Sequence, residues 1–254
     1  MKILAYLRFK LAEPFQGEHL HEKGAAVVLN SKVVTKTLGI FLLIPPDPVS
    51  LSLNDAKNFI DKTLKLKERL SHSISNVATV ESKKYTPEQI RVLGLKSVED
   101  ILRVDPEAEV IRTIDTEKMY SFIQASADAM TSLMTAVESF ANVMIPRDHK
   151  EKIIRNKIEI ELDKDGIVRK LGVENKLDIL GRLLGKTDFK SHAHWQSFLD
   201  VKDIRDNFIH FKQAHAHINS IWNPMVVSLI DSDLEKFYND IILLIKYLKP
   251  EYFD

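Results

Sequence analysis

The chain has 254 residues, 44% of them apolar and 28% charged, which suits one large domain or two modest ones of ordinary soluble composition. Basic and acidic residues balance at 36 each, so no global field draws the chain to nucleic acid or to a membrane surface. Cysteine is absent and glycine numbers only eight, which excludes disulfides, zinc ribbons, thiol catalysis and glycine-rich phosphate loops.

In chain order, residues 1 to about 50 read as strands. ILAYLRF, AAVVL and KVVTKTLGIFLLI are short, β-branched or aromatic, and separated by turn residues. GIFLLI reads equally as a turn of buried helix. The longest apolar run, Leu38 to Ile44, is far too short for a bilayer, which needs about 20 residues. Arg8 and Lys10 interrupt any signal-like core at the start. A cytoplasmic chain with no membrane partner is expected.

PPDP (Pro45 to Pro48) closes that segment, and from Ser52 the pattern turns helical, with Ser52 or Asn54 as cap and Phe59, Ile60, Leu64 and Leu70 on the apolar side. TPEQIRVLG sets Thr86 as N-cap, a proline at the first helical position and a glycine past the end. SVEDILRV is a second short helix, stopped before Pro106. The strongest helix runs from a cap at Asp115 to Pro146, with Met119, Phe122, Ala129, Leu133, Val137 and Phe140 along one face. At 1.5 Å per residue it spans roughly 45 Å. NKIEIELDKDGIVRKLG (156 to 172) alternates like a hairpin around DKDG, although it can also begin as helix. KLDILGRLLG, the stretch near Trp195 to Trp222, and DSDLEKFYNDIILLIKYL, capped by Asp231 or Ser232, complete a helix bundle. The expected fold is therefore mainly α. Residues 1–114 form a small β-containing or α/β N-terminal region and residues 115–254 an up-and-down helical bundle.

One hexapeptide carries potential chemistry: RDNFIH, Arg205 to His210. On its helix Val201, Ile204, Phe208, Phe211, His215, Ile218 and Trp222 form a buried stripe. His210 lies roughly 130° and Arg205 roughly 90° from the centre of that stripe. The two are about 140° apart, so two copies of the helix across a two-fold axis bring them together more readily than one copy does. Asp206 is one turn before His210 and can orient its imidazole or raise its pKa; Asn207 can also hydrogen-bond to it. The spacing alone arises about once by chance in a chain with this many arginines and histidines. A solvated helix face is the plain alternative.

The surroundings add weight. RDNFIH, VESFAN (Val137 to Asn142), and between them KLDILGRLLG and HWQSFLDVKDIRD resemble, in order and spacing, the HEPN family of prokaryotic helical domains. The resemblance covers about residues 115 to 248. It implies a four- to five-helix bundle that dimerises through the helix carrying Arg205 and His210. It further implies a metal-independent endoribonuclease with no cofactor, of the kind found in defence, toxin or RNA-processing systems, with an antitoxin or defence protein as a possible partner. On that likeness Arg205 binds the scissile phosphate of RNA, and His210 is the general acid or base for attack by the 2′-hydroxyl, giving a cyclic phosphate. Asp206 and Asn207 support them, and Glu138 and Asn142 are supporting or packing groups. The family also includes non-catalytic modules that bind RNA, nucleotide or protein, and this is the alternative reading.

Three His-x-His pairs raise the question of a metal. His215 and His217 diverge on a helix, whereas His19/His21 and His192/His194 lack a converging third ligand, so no metal site is expected. His194 and Trp195 could instead border an RNA groove, where an aromatic ring stacks on a base.

Overall fold

A computed structural model describes the backbone at 9–10, 15–16, 20–21, 26–27, 31–35 and 39–43, and from Asp47 onward except 75–77, 113, 156, 210–218 and 254. Side chains are described from Asp47 onward, except at 73, 75–79, 113, 155–156, 209–223 and 254. The fold is mainly helical.

The N-terminal region holds antiparallel pairs. β1 (Phe9–Lys10) pairs with β4 (Ala26–Val27), and β2 (Phe15–Gln16) pairs with β3 (Leu20–His21). β5 (Ser31–Thr35) pairs with β6 (Gly39–Leu43), so GIFLLI is strand and not helix over its described residues, Gly39 to Leu43.

Helix α1 covers Pro48–Ser73 and starts earlier than Ser52 or Asn54. Asp47 is the reason. Its Oδ2 accepts from the Ser50 amide at 2.8 Å and the Ser50 hydroxyl at 2.9 Å, and Pro48 takes the first helical position, where no N–H is needed. The Asp47–Pro48 half of PPDP is thus a helix start. Along α1, Val49, Leu53, Ala56, Ile60 and Leu70 are buried, while Leu64, expected on the apolar face, is exposed and Thr63 takes the inward position.

β7 (Ala78–Glu81) follows, then α2 (Pro87–Val92) and α3 (Val98–Val104), each opened by a capping box, Thr86 with Gln89 and Ser97 with Asp100. β8 (Glu109–Arg112) pairs antiparallel with β7. Nearby, the buried Asp105 carboxylate accepts from Ser82 Oγ at 2.6 Å and from the amides of Lys83 at 2.7 Å and Lys84 at 3.0 Å. The Ser82 hydrogen bond above all holds its pKa below the usual aspartate value.

α4 (Thr116–Met144) is the longest described helix, capped by Asp115, which accepts from the Lys118 amide at 3.1 Å. Its predicted stripe is buried from Phe122 through Ala129, Leu133, Val137 and Phe140. β9 (Glu151–Arg155) and β10 (Ile158–Leu162) form a hairpin that turns through Lys157, at φ 65°. DKDG is not that turn. Asp163 accepts from the Gly166 amide at 2.8 Å and caps α5 (Lys164–Lys170). A short aspartate-led polar run encodes an N-cap as readily as a turn, because both use the carboxylate to hold a nearby N–H.

α6 (Val173–Leu183), α7 (Ala193–Ile209), α8 (Asn219–Asp231) and α9 (Leu234–Leu248) complete the bundle, with α7 packed along α9. The helix expected from Trp195 to Trp222 is described only to Ile209 and again from Asn219. α9 is capped by Asp233, which accepts from the Lys236 amide at 2.9 Å, and not by Asp231 or Ser232. By packing, the chain divides into two compact units, 1–60 with 127–254, and 61–126. α1 and α4 cross the division.

In the first unit, Tyr252 donates to Asp47 Oδ1 at 2.9 Å and sets its ring edge-on to Phe140 at 5.0 Å. Burial raises the Tyr252 phenol pKa, and the Asp47 charge and hydrogen bond push it further up. The unfolded chain ionises this tyrosine near pH 10 while the folded chain holds the proton. Its contribution to stability is therefore complete below about pH 10 and is lost as pH rises above that. Tyr252→Phe is expected to cost about 1 kcal/mol at neutral pH, from the lost hydrogen bond. It should also flatten the alkaline fall in urea midpoint between pH 9 and 11; an unchanged alkaline slope would refute the assignment.

Candidate functional site

Arg205 lies on α7, one residue beyond the core position Ile204. Its side chain is 23% exposed, and Nε lies 3.2 Å from Asp206 Oδ1. Nε is itself buried and makes no hydrogen bond, because the carboxylate lies close enough for ion pairing but off the N–H direction. Asp206 Oδ2 is 3.3 Å from Lys202 Nζ one turn earlier, and Lys202 reaches Glu174 Oε1 on α6 at 3.2 Å. Burial works against the Lys202 charge, yet the contacts with Glu174 and Asp206 outweigh it and raise its pKa. Positive and negative groups thus alternate, and Asp206 is engaged by two cations. Asn207 is exposed. His210, with His215 and His217, lies outside the described residues, as do the side chains of His19 and His21.

Glu138 and Asn142 lie on α4. Glu138 Oε1 accepts from Lys176 Nζ at 2.5 Å; Lys176 is fully buried, while the Glu138 side chain is 48% exposed. Asn142 has a buried Oδ1 with no hydrogen-bond partner. Glu138 and the Arg205 network both engage α6, but through Lys176 and Glu174 respectively. Those positions are two apart and so about 200° apart around the helix. Glu138 therefore joins the Lys176 face of α6, away from the face that Lys202 meets.

A second polar cluster was not legible as a site. Asp240 on α9, 8% exposed, accepts from His194 Nδ1 at 2.8 Å, Ser197 Oγ at 2.5 Å and Lys236 Nζ at 2.5 Å. Lys236 also donates to Ser197 Oγ at 2.9 Å. Burial raises the Asp240 pKa, but the bonds from Lys236, Ser197 and His194 together outweigh it and hold the carboxyl below the usual range. Donation from Nδ1 leaves Nε2 of His194 as a hydrogen-bond acceptor. The His192 ring packs at 4.7 Å from His194 and 4.3 Å from Tyr247, and its Nδ1 is buried without a partner. Tyr247 donates to Asp188 Oδ1 at 2.8 Å. Ser197 and Asp240 are 43 residues apart, so no local motif announces the cluster. Its local signals are the one-turn spacings of Lys236 and Asp240 on α9 and of His194 and Ser197 on α7.

Trp195 does not border a groove: it is buried, edge-on to Phe189 at 5.1 Å and 4.6 Å from Phe198. Among the described residues, no three histidine, aspartate or glutamate side chains are placed to hold a metal ion. Among them, too, no helix is long and apolar enough to cross a membrane. No family model, curated protein or solved structure matches this chain.

Proposed function

We propose that the helical part of this protein is a metal-independent endoribonuclease of HEPN type. The observation that supports this reading is the state of Arg205. Its side chain is 23% exposed, and its Nε is buried beside Asp206 without making a hydrogen bond. A solvated arginine would hydrate every N–H. A partly desolvated, positioned guanidinium instead favours an anion that presents two oxygens, such as a phosphodiester.

In the proposed reaction, the 2′-hydroxyl attacks the adjacent phosphorus and gives its proton to His210. The P–O5′ bond breaks, the leaving oxygen takes a proton from a second acid, and the products are a 2′,3′-cyclic phosphate and a 5′-hydroxyl. Arg205 stabilises the charge that develops on the non-bridging oxygens. A homodimer through α7 supplies the second histidine as that acid. Asp206 and Asn207 position these groups.

One observation favours the alternative, a module that binds without cleaving. Lys202 and Arg205 are balanced by Glu174 and Asp206, so the network has no net charge with which to attract RNA. Cleavage of labelled single-stranded RNA in EDTA separates the two readings. Wild type is expected to release a cyclic-phosphate product, and Arg205→Ala and His210→Ala, verified as folded and of unchanged oligomeric state, to be slower by at least about 100-fold. RNA binding without cleavage would establish the binding module. Equal cleavage by all three proteins would remove these residues from the mechanism.

A further inference from the structure

A cavity of about 400 Å³ lies between the β9–β10 hairpin, the end of α5 and one face of α6. The alternation of the hairpin creates its floor. Ile153 faces Ile160 across the strands, and Leu162 faces Glu151, so these four side chains share one face. On the opposite face, Lys150 pairs with Glu161 and Lys152 with Glu159, both at 2.8 Å. The inner face continues into the aliphatic cluster of Ile145, Leu162, Ile167 and Ile179, against which Ile153 and Ile160 pack. The cavity therefore opens onto the side of a hydrocarbon core, and none of its lining residues is aromatic.

Its rim carries charges of both signs, and their pairing decides the local sign. Arg182 Nη2 donates to Glu151 Oε1 at 2.5 Å, so that acid is neutralised within the lining. Asp178 accepts from Lys190 at 2.8 Å, a cation from outside the lining. Lys170 has no ion-pair partner among the described residues and is exposed at the end of α5. The rim thus holds one uncompensated positive charge, with the exposed Asn175 amide as a further donor.

We infer that this cavity is a binding site for a free medium-chain aliphatic carboxylate, its chain on the Ile153, Ile160, Leu162 and Ile179 floor and its anionic head at Lys170. The floor suits a saturated chain, because it has no ring on which a base or aromatic ligand could stack. A cationic amphiphile finds no free carboxylate at the rim. At roughly 30 Å³ per heavy atom, the share of one liquid water, the cavity takes about a dozen heavy atoms, the size of decanoate and well short of a membrane lipid. This site is separate from the Arg205 network and does not depend on the ribonuclease reading.

The test is a titration of the full chain with sodium decanoate, followed by isoleucine methyl NMR. Decanoate is expected to shift the methyls of Ile153, Ile160 and Ile179 and to saturate with a Kd on the order of 0.1–1 mM, ordinary for a ligand of this size. Lys170→Glu, at an exposed position, is expected to weaken binding about 10-fold or more, and Lys246→Glu, the same charge change on the exposed side of α9, to leave it unchanged. Decylammonium is expected not to saturate the site. Shifts confined to other methyls, equal binding of the two amphiphiles, or indifference to Lys170→Glu would each overturn the assignment.

Discussion

Asp240→Ala is expected to lower the unfolding free energy by about 2–4 kcal/mol, through the donors that lose their acceptor. Ser197 is the costliest of them. Its hydroxyl is buried, and losing its acceptor leaves it with Lys236 as its remaining bonded neighbour. His194 Nδ1 loses its partner as well, whereas the half-exposed Lys236 ammonium returns to water at little cost. The dependence on pH gives a sharper check. The Asp240 pKa is lower in the fold than the unfolded value of about 3.9. The unfolded state therefore binds the proton first, so the stabilisation is present above about pH 4 and is lost as pH falls through the folded value. Urea unfolding of wild type and Asp240→Asn between pH 2.5 and 7 should show a shallower acid fall in the variant. Parallel curves would mean that Asp240 gains nothing from its ionised form.

Glu138→Ala is expected to destabilise the protein by about 2–3 kcal/mol. Breaking a buried ion pair from one side typically costs about 3–5 kcal/mol, because the remaining charge stays buried alone, and the half-exposure of Glu138 places this case below that range. Lys176→Met should restore most of the loss when combined with Glu138→Ala, since an apolar chain of similar length suits a fully buried position. A double-mutant cycle on urea midpoints measures the coupling. The same variants bear on function. If Glu138 acts by holding α4 to α6, the double variant retains any RNA cleavage at the wild-type rate per folded molecule. A loss of cleavage in a fully folded double variant would place Glu138 nearer the chemistry.

Much of the helical framework was legible locally. Thr86 and Asp115 act as caps within a few residues of the amides they hold, and the apolar period of α4 is repeated over many turns. The errors occurred where one residue type serves two local structures. Asp47 and Asp163 sit in proline- or glycine-containing stretches that read as turns, and both are N-caps. β7 and β8 escaped notice because they are short and β8 is exposed along its whole length, so burial imposes no alternation on it.

From sequence alone followed the mainly helical class, the strands near the N-terminus, the long α4 and the expectation that Arg205 stands just off a buried stripe. The tertiary structure decided which charges meet. Lys176 reads as one more polar residue on a helix until α4 brings Glu138 to it, and His194 reads as a loop histidine until α9 sets Asp240 beneath it. Helix start, stop and face are set by interactions within a turn or two, which a linear pattern records. The pairing of polar groups 38 to 46 residues apart depends on how finished helices pack, and that is written in no local spacing.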